Sequence, residues 1–258
     1  MAARFVHLHT HSHYSLLNGL PRISDLIKAA KDDGMPALAL TDAGNLYGAI
    51  EFYKECTSAG IKPIIGIDGY LAARSYLDKE SQLDMKRYRL VLLAENFTGY
   101  QNLMRLVSAS FLEGFYVKPR MDRELLEKYH EGLIAIIPSF SGETSDALRG
   151  RDVARAKEIV AWYTKTFGKD NVFLEITHHP EFEGHEALMQ QIVKLGKDTD
   201  VPIVAAHDTY YLAREDRAAR EVVVRIQSGE RVERGGFDDA DDDFSFISQA
   251  EAEQLFAD

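Results

Sequence analysis

The sequence predicts an α/β fold, a distorted seven-stranded (β/α)7 barrel, from two observations. Short apolar runs recur seven times along the chain, and amphipathic helical patterns lie between them. Runs of this length are typical of strands buried on both faces, and their alternation with helices indicates a mostly parallel sheet. Because right-handed crossovers can close such a sheet, a barrel is favoured over an open sheet.

The predicted strands follow the apolar runs at residues 5–8, 37–40, 63–67, 90–94, 133–137, 172–176 and 202–206. A further strand-like piece at 70–75 precedes a polar stretch at 76–86. It predicts an inserted hairpin between the third and fourth barrel strands.

Helices are predicted where apolar residues recur at spacings of three and four, at 23–30, 153–163 and 188–195. Pro21 before the first helix and Gly34 behind it are the usual start and stop residues. Another helix is expected near 214–227.

The domain prediction is one barrel domain over residues 1–228 and an acidic linker over 229–258. A chain of 258 residues that is 45% apolar is long enough for one large core. After the last predicted helix the pattern decays into Gly235-Gly236 and the acidic run 238–243, which is typical of a solvated loop or linker. The linker would begin the connection to a further domain.

Charge and composition exclude several function classes. A net charge of −11 argues against a surface that holds nucleic acid by counterion release. Cys56 is the only cysteine, which excludes disulfide frameworks and thiolate zinc sites and suits a reducing compartment, the cytoplasm. Apolar stretches are far shorter than the roughly 20 residues that span a bilayer, so no membrane association is expected.

Histidines and carboxylates gather where the predicted strands end. His7, His9, His11 and His13 alternate after the first strand, so that they would share one face of an extended chain. The later strands end in further polar residues: Asp42, Asp68, Ser139, His178, His179, His207 and Asp208. Side chains converging at this end of a barrel indicate a hydrolytic metal centre.

Other interpretations of these residues stay open. A strand-end aspartate is more often a helix N-cap than a ligand, and His178 and His179 before Pro180 could be loop histidines without a role. Only the His9-x-His11 pair favours a metal site by itself. The glycines Gly44, Gly48 and Gly66 lack the spacing of a phosphate-binding loop.

Several sequence blocks resemble a known family. They are Phe5-Val6-His7-Leu8-His9-Thr10-His11-Ser12, Thr41-Asp42, Gly44-Asn45-Leu46-Tyr47-Gly48-Ala49 and Gly60-Ile61-Lys62-Pro63-Ile64-Ile65-Gly66. With these blocks the chain resembles the polymerase and histidinol phosphatase (PHP) domain. Thr98-Gly99-Tyr100-Gln101-Asn102-Leu103 and Gly114-Phe115-Tyr116 are similar to the version that heads bacterial C-family replicative polymerases. The resemblance implies a barrel of the PHP type.

The resemblance implies a cluster of divalent ions at the barrel mouth in members that keep their metals. His9, His11 and Asp208 match the expected ligand types, while six expected ligand positions are altered. They hold Asn18 for Asp, Ala43 for His, Asp68 for Glu, Arg89 for His, Ser139 for Cys and Tyr210 for His. Arg89 is the most damaging change, because a guanidinium keeps its proton and repels a cation.

We therefore expect a vestigial site without a tightly bound cofactor. If a metal is retained, it should be a weakly held Zn, Mn or Mg at His9, His11, Asp68 and Asp208. Because carboxylates facing a partly dry barrel mouth are costly without a counter-charge, we hypothesise that Arg89 replaces the missing metal charge. The alternative is that Arg89 points into solvent from the inserted hairpin.

By resemblance, the leading functional hypothesis is a non-catalytic module that stabilises the rest of the polymerase and docks its proofreading exonuclease subunit. DNA would be held by the parent polymerase, whose nucleotidyl-transfer carboxylates lie downstream of residue 258. The alternative is an active metal-dependent phosphoesterase, a proofreading exonuclease or pyrophosphatase-like enzyme, in which His13, His178, His179 or His207 replace lost ligands. A free-standing metabolite phosphatase is disfavoured by the polymerase-type blocks.

Overall fold

The computed structural model describes residues 5–228 and 242–257. The strands are β1 (Ala37–Leu40), β2 (Lys62–Ala72), β3 (Arg87–Ala94), β4 (Phe115–Tyr116), β5 (Lys118–Met121), β6 (Leu133–Ile137), β7 (Val172–Ile176) and β8 (Ile203–Ala205). The helices are α1 (Ile23–Asp32), α2 (Ala49–Ala59), α3 (Phe97–Leu112), α4 (Arg123–Tyr129), α5 (Glu143–Arg149), α6 (Val153–Phe167), α7 (His185–Thr199), α8 (Arg217–Ser228) and α9 (Gln249–Leu255).

The strands form one curled, mixed sheet in the order β4-β5-β2-β3-β6-β7-β8, with β1 also paired to β2. The α/β fold is confirmed, and four of the seven strand pairs among the described residues are parallel, but the sheet is mixed. β2 pairs antiparallel with β3, and β3 pairs antiparallel with β6. The cause is the connection at 73–86, which contains no crossover helix in the structure and so returns the chain in the opposite direction.

The first predicted strand, at residues 5–8, is irregular, yet it closes the barrel. His7 O accepts a hydrogen bond from Ala39 N, and Thr10 O accepts one from Thr41 N. Between these two hydrogen bonds the first segment advances by three residues and the β1 segment by two, which is the geometry of a bulge. On its other side, a bridge between Thr10 and Thr209 joins this segment to the chain after β8.

The hairpin between the third and fourth barrel strands is built by the strands themselves. β2 continues through Ala72, and so includes the start of the strand-like piece at 70–75, while β3 begins at Arg87. The register pairs Tyr70 with Arg89 and Asp68 with Val91. Arg89 is therefore an interior strand residue that faces the barrel mouth.

The helices predicted from periodicity are confirmed as α1, α6, α7 and α8. Side chains that accept the first free amides begin several of them: Asn96 for α3, Asp122 for α4 and Asp152 for α6. Gly60, with φ of 77°, ends α2 in the left-handed conformation that glycine adopts without strain.

The main apolar core lies between the sheet and α3 to α7, and a second cluster joins α1 and α2 to β1. A small third cluster fills the barrel interior with Ala39, Val91, Leu93 and Ile136. Apolar side chains fill this interior, and the polar residues lie at the mouth of the barrel.

Residues 242–257 pack against the barrel, which differs from the solvated linker predicted for them. His7 Nε2 donates to the Ile247 carbonyl at 2.9 Å, and Ile247 is only 2% exposed. Arg214 pairs with Asp243 and Arg217 with Asp242, so two members of the acidic run are neutralised. Most of that run falls in 229–241, outside the described residues, and the boundary at 228 remains a prediction.

Candidate functional site

Three carboxylates and a second histidine meet around the ring of His9 at the barrel mouth. Its Nδ1 lies 3.0 Å from Glu175 Oε1 and 3.1 Å from Asp208 Oδ1, and its Nε2 lies 3.2 Å from Asp68 Oδ2. His11 Nε2 lies 3.5 Å from the same Asp68 oxygen. The closed barrel places these side chains together from the bulged first segment, β2, β7 and the end of β8.

The electrostatics of this group are those of a buried ion network. Burial lowers the pKa of His9, but the Asp208 and Glu175 carboxylates outweigh it and hold that pKa well above its usual value. Burial alone would raise the pKa of Asp208, yet the charge of His9 holds it below its ordinary range. Burial raises the pKa of Glu175, an effect that His9 opposes. His9 is thus an imidazolium shared by two carboxylates.

Arg89 forks onto Asp68, as the charge-replacement hypothesis requires. Its Nε donates to Asp68 Oδ1 at 2.8 Å, and its Nη2 donates to Asp68 Oδ2. Arg89 and Asp68 are diagonal neighbours across the β2–β3 pair, a spacing that long side chains span. The guanidinium also stacks on Tyr70 at 4.3 Å. The alternative that Arg89 points into solvent was wrong, because only 16% of the side chain is exposed.

The ring of His11 is neutral, in contrast to that of His9. Burial lowers its pKa well below the usual value, and the nearby charges of His9 and Arg89 add to that effect. The single proton of Ser15 Oγ is donated to Asp42 at 2.6 Å, so His11 Nδ1 must donate to Ser15 Oγ. The neutral ring then presents an unprotonated Nε2, which has no hydrogen-bond partner among the described residues.

A second guanidinium covers this side of the mouth. The ring of Tyr210 stacks on His11, with ring centroids 4.2 Å apart and planes 6° apart. The guanidinium of Arg220, from α8, lies 4.0 Å from the centroid of the same Tyr210 ring. Arg220 Nη2 also donates to Asn18 Oδ1 at 3.1 Å. Two of the altered ligand positions, Asn18 and Tyr210, are therefore bound to a cation-bearing side chain.

Ala43 and Ser139, the remaining altered positions, supply main-chain contacts. Ala43 bridges to Asp68 in a parallel pairing, and its amide donates to Ser15 Oγ at 3.0 Å. The Ser139 amide donates to Glu175 Oε2 at 3.0 Å, while its hydroxyl lies 2.8 Å from Thr177 Oγ1. Every altered position thus contacts a residue of the His9 network or a residue that packs against that network.

Glu175 is the functional residue that sequence reasoning missed. It lies within the apolar run 172–176 and is 1% exposed. A carboxylate in the middle of an otherwise apolar strand is itself a signal, because buried acidic residues are rare unless they are paired. The overall apolarity of the run predicts only a buried strand and hides this signal.

The other histidines divide into exposed and buried ones. The bulge breaks the alternation predicted for the first segment, so that His7 turns toward Ile247 and His13 is exposed, with its Nδ1 near Pro21 O. His178 is exposed as well. Buried His179 stacks on His207 at 5.4 Å, beside the network rather than in it.

These residues fit a metal cluster only in part. Two groups bring three possible ligand atoms together, His9 with His11 and Asp68, and His9 with Glu175 and Asp208. The free Nε2 of His11 is suited to a cation. Against it, Arg89 donates hydrogen bonds to both oxygens of the Asp68 carboxylate. Arg89 therefore competes with a cation for Asp68, whereas His9, Glu175 and Asp208 still bring three possible ligand atoms together.

The blocks found in the sequence are matched by a family model for the PHP domain over residues 7–179. The chain belongs to the PHP domain family. It is 43% identical over 258 residues to the DNA polymerase III subunit alpha of Borreliella burgdorferi and 42% identical over 231 residues to that of Thermus aquaticus. These matches cover 99% and 87% of the chain but only 22% and 19% of the relatives, so this PHP chain spans about a fifth of their length.

A solved structure shows the same fold at low identity. It is that of a protein assigned as a metal-dependent phosphoesterase from Bifidobacterium adolescentis, with a TM-score of 0.50 and 11% identity. The match covers 80% of this PHP chain and 87% of that structure. The likeness supports the PHP-type barrel.

Within the described residues, no helix is both long and apolar enough to cross a membrane.

Proposed function

We propose that this chain is the N-terminal PHP domain of a replicative DNA polymerase III alpha subunit, and that it is a metal-depleted, non-catalytic module. The fork from Arg89 to Asp68 carries the proposal. It places a permanent positive charge on the carboxylate that His9 and His11 face, and so compensates the network without a cation from solution. His9 supplies the second positive charge. Relatives that are replicative polymerase subunits support a cytoplasmic location.

In this role the barrel stabilises the polymerase through its own rigidity. The network ties the bulged first segment to β2, β7 and the end of β8, and the buried ion pairs hold those strand ends in one arrangement. The rest of the alpha subunit would pack around this frame and would bind DNA. The residues described here supply orientation and charge balance, and we assign them no catalytic step.

The competing function is an active metal-dependent phosphoesterase, and one observation favours it. The unprotonated Nε2 of His11 points at Asp68, as a residual metal ligand would. Hydrolysis of a phosphodiester and of single-stranded DNA, measured with added Mn or Zn, separates the two. We expect the chain and a His11→Ala variant to be equally inactive. Metal-dependent turnover that His11→Ala abolishes would establish the phosphoesterase.

We also propose that this domain docks the proofreading exonuclease subunit of the same polymerase. The polymerase-type sequence blocks and the identity of about 40% to alpha subunits support this partner. A titration of the isolated domain with the exonuclease subunit from the same organism should show saturable binding. An exonuclease concentration of about 100 μM is high enough to detect a weak complex, and no binding at that concentration would remove this role from the domain.

A further inference from the structure

A cluster of positive side chains surrounds Tyr70 at the rim of the barrel mouth. Three cations lie within 6 Å of its ring centroid: Arg89 at 4.3 Å, Arg87 at 5.8 Å and Lys118 at 5.8 Å. They come from two strands, β3 and β5, that flank β2, so the sheet itself brings them together. Through Asp68, Arg89 also links this cluster to the His9 network.

The charges of this cluster are unbalanced. Arg89 has its carboxylate partner in Asp68, but Arg87 makes only one hydrogen bond to a described group, to the Met85 carbonyl at 3.0 Å. Among the described residues, the lysines that form ion pairs are Lys28, Lys86, Lys157 and Lys169, and Lys118 is not one of them. Burial lowers the pKa of Lys118, and the positive charges of Arg87 and Arg89 lower it further. In a chain with a net charge of −11, such a concentration of positive charge is unusual.

The backbone around the cluster is held in place at a cost. Val117, in the one-residue turn between β4 and β5, has φ of 63°, a left-handed conformation that β-branched residues rarely adopt. Backbone strain of this kind is concentrated at functional sites. This turn positions Lys118 beside Tyr70. On the ring itself, Gly44 packs so closely that a Cβ there would lie 3.2 Å from Tyr70 Cε2.

We propose that Arg87 and Lys118, which lie beside the ring of Tyr70, form a binding site for a phosphate group. A tetrahedral anion with several acceptor oxygens suits a guanidinium fork and an ammonium, which together offer several donors. Binding would also supply the counter-charge that the described residues do not provide. The site needs no metal and does not use Arg89, the member of the cluster that binds Asp68, so it is independent of the proposed function.

The phosphate could belong to a free anion or to a nucleic-acid backbone, and the experiment separates these sources. The chain is titrated by calorimetry with pyrophosphate and with a short single-stranded oligodeoxynucleotide, both in EDTA to exclude metal-bridged binding. We expect saturable binding of at least one probe below about 10 mM, and about tenfold weakening in Lys118→Gln and in Arg87→Gln. Pyrophosphate binding indicates a free anion, whereas binding of the oligonucleotide alone indicates a backbone phosphate.

Lys54→Gln is the matched control, because it removes the same charge from an exposed site on α2. It should bind the probe as the parent chain does. Equal weakening by Lys54→Gln and Lys118→Gln would show a net-charge effect and overturn the proposal. So would the absence of binding by both probes, or binding that neither Arg87→Gln nor Lys118→Gln weakens. Circular dichroism of each variant confirms that a loss is not due to unfolding.

Discussion

At the scale of single residues, the fork between Arg89 and Asp68 determines how the barrel mouth tolerates its carboxylates. Asp68 is 1% exposed, and a buried carboxylate without a partner is costly. Arginine suits this position because its planar fork bonds both oxygens and stays charged when partly desolvated. Lysine would offer a point charge with no such match to the carboxylate.

Arg89→Ala should therefore lower the free energy of unfolding by about 3–5 kcal/mol, because it leaves the buried Asp68 charge without its bidentate partner and with only His9 beside it. Urea melts at neutral pH measure this loss. Adding Asp68→Asn to the variant should recover part of it, since the uncompensated charge is then removed. A loss within about 0.5 kcal/mol for Arg89→Ala, the range of surface substitutions, would end the charge-replacement hypothesis.

The buried histidines beside the network give a prediction on pH. Burial lowers the pKa of His7 and of His207 to about 4. Because the folded pKa lies below the unfolded value of 6.5, the unfolded chain takes up protons first as the pH falls. Stability is then lost between about pH 6.5 and 4, by up to about 3 kcal/mol for each group.

His207→Leu isolates one of these contributions. Neither ring nitrogen of His207 has a hydrogen-bond partner among the described residues, so at pH 7 the substitution should change the free energy of unfolding by less than about 1 kcal/mol. At pH 4.5 the variant should be more stable than the parent chain, by about 2 kcal/mol. Parallel acid dependence in the two proteins would show that His207 does not titrate as its burial implies.

At the scale of elements, residues 242–257 behave as part of the barrel. Ile247 is buried, its carbonyl accepts from His7, and Phe246 packs 4.2 Å from the His7 ring. Ile247→Ala should cost about 2–5 kcal/mol in a denaturant melt, as for other buried isoleucines. Glu253→Ala, on the exposed side of α9, is the control and should be nearly neutral. Equal, small effects would return this segment to the linker that composition predicted.

The same scale shows where sequence reasoning succeeded and where it did not. Apolar runs located most strands, and the spacing around Ile23 and Leu26 located α1, because burial of a periodic face is a local property. The bulge at His7–Thr10 and the antiparallel β2–β3 pair depend on partners far along the chain, so no local pattern indicated them. Composition alone made residues 242–257 a linker, since it cannot register packing against His7.

At the scale of the whole molecule, the resemblance supplied most of the candidate site. His9, His11, Asp68, Arg89 and Asp208 do converge, although a list of positions could not show how they are charged. That Arg89 binds Asp68, and that Arg220 covers Tyr210, follows only from the closed barrel. Glu175 shows the opposite failure, because its residue type was visible in the sequence and its partners were not.

The metal content of the purified chain tests the central claim most directly. Elemental analysis is made after purification without chelators and dialysis, on the parent chain and on Arg89→His, which exchanges a competing cation for a ligand type. We predict well under one equivalent of transition metal in the parent chain and a higher content in Arg89→His. Near-stoichiometric zinc or manganese in the parent chain would contradict the proposal that its own side chains balance the barrel mouth.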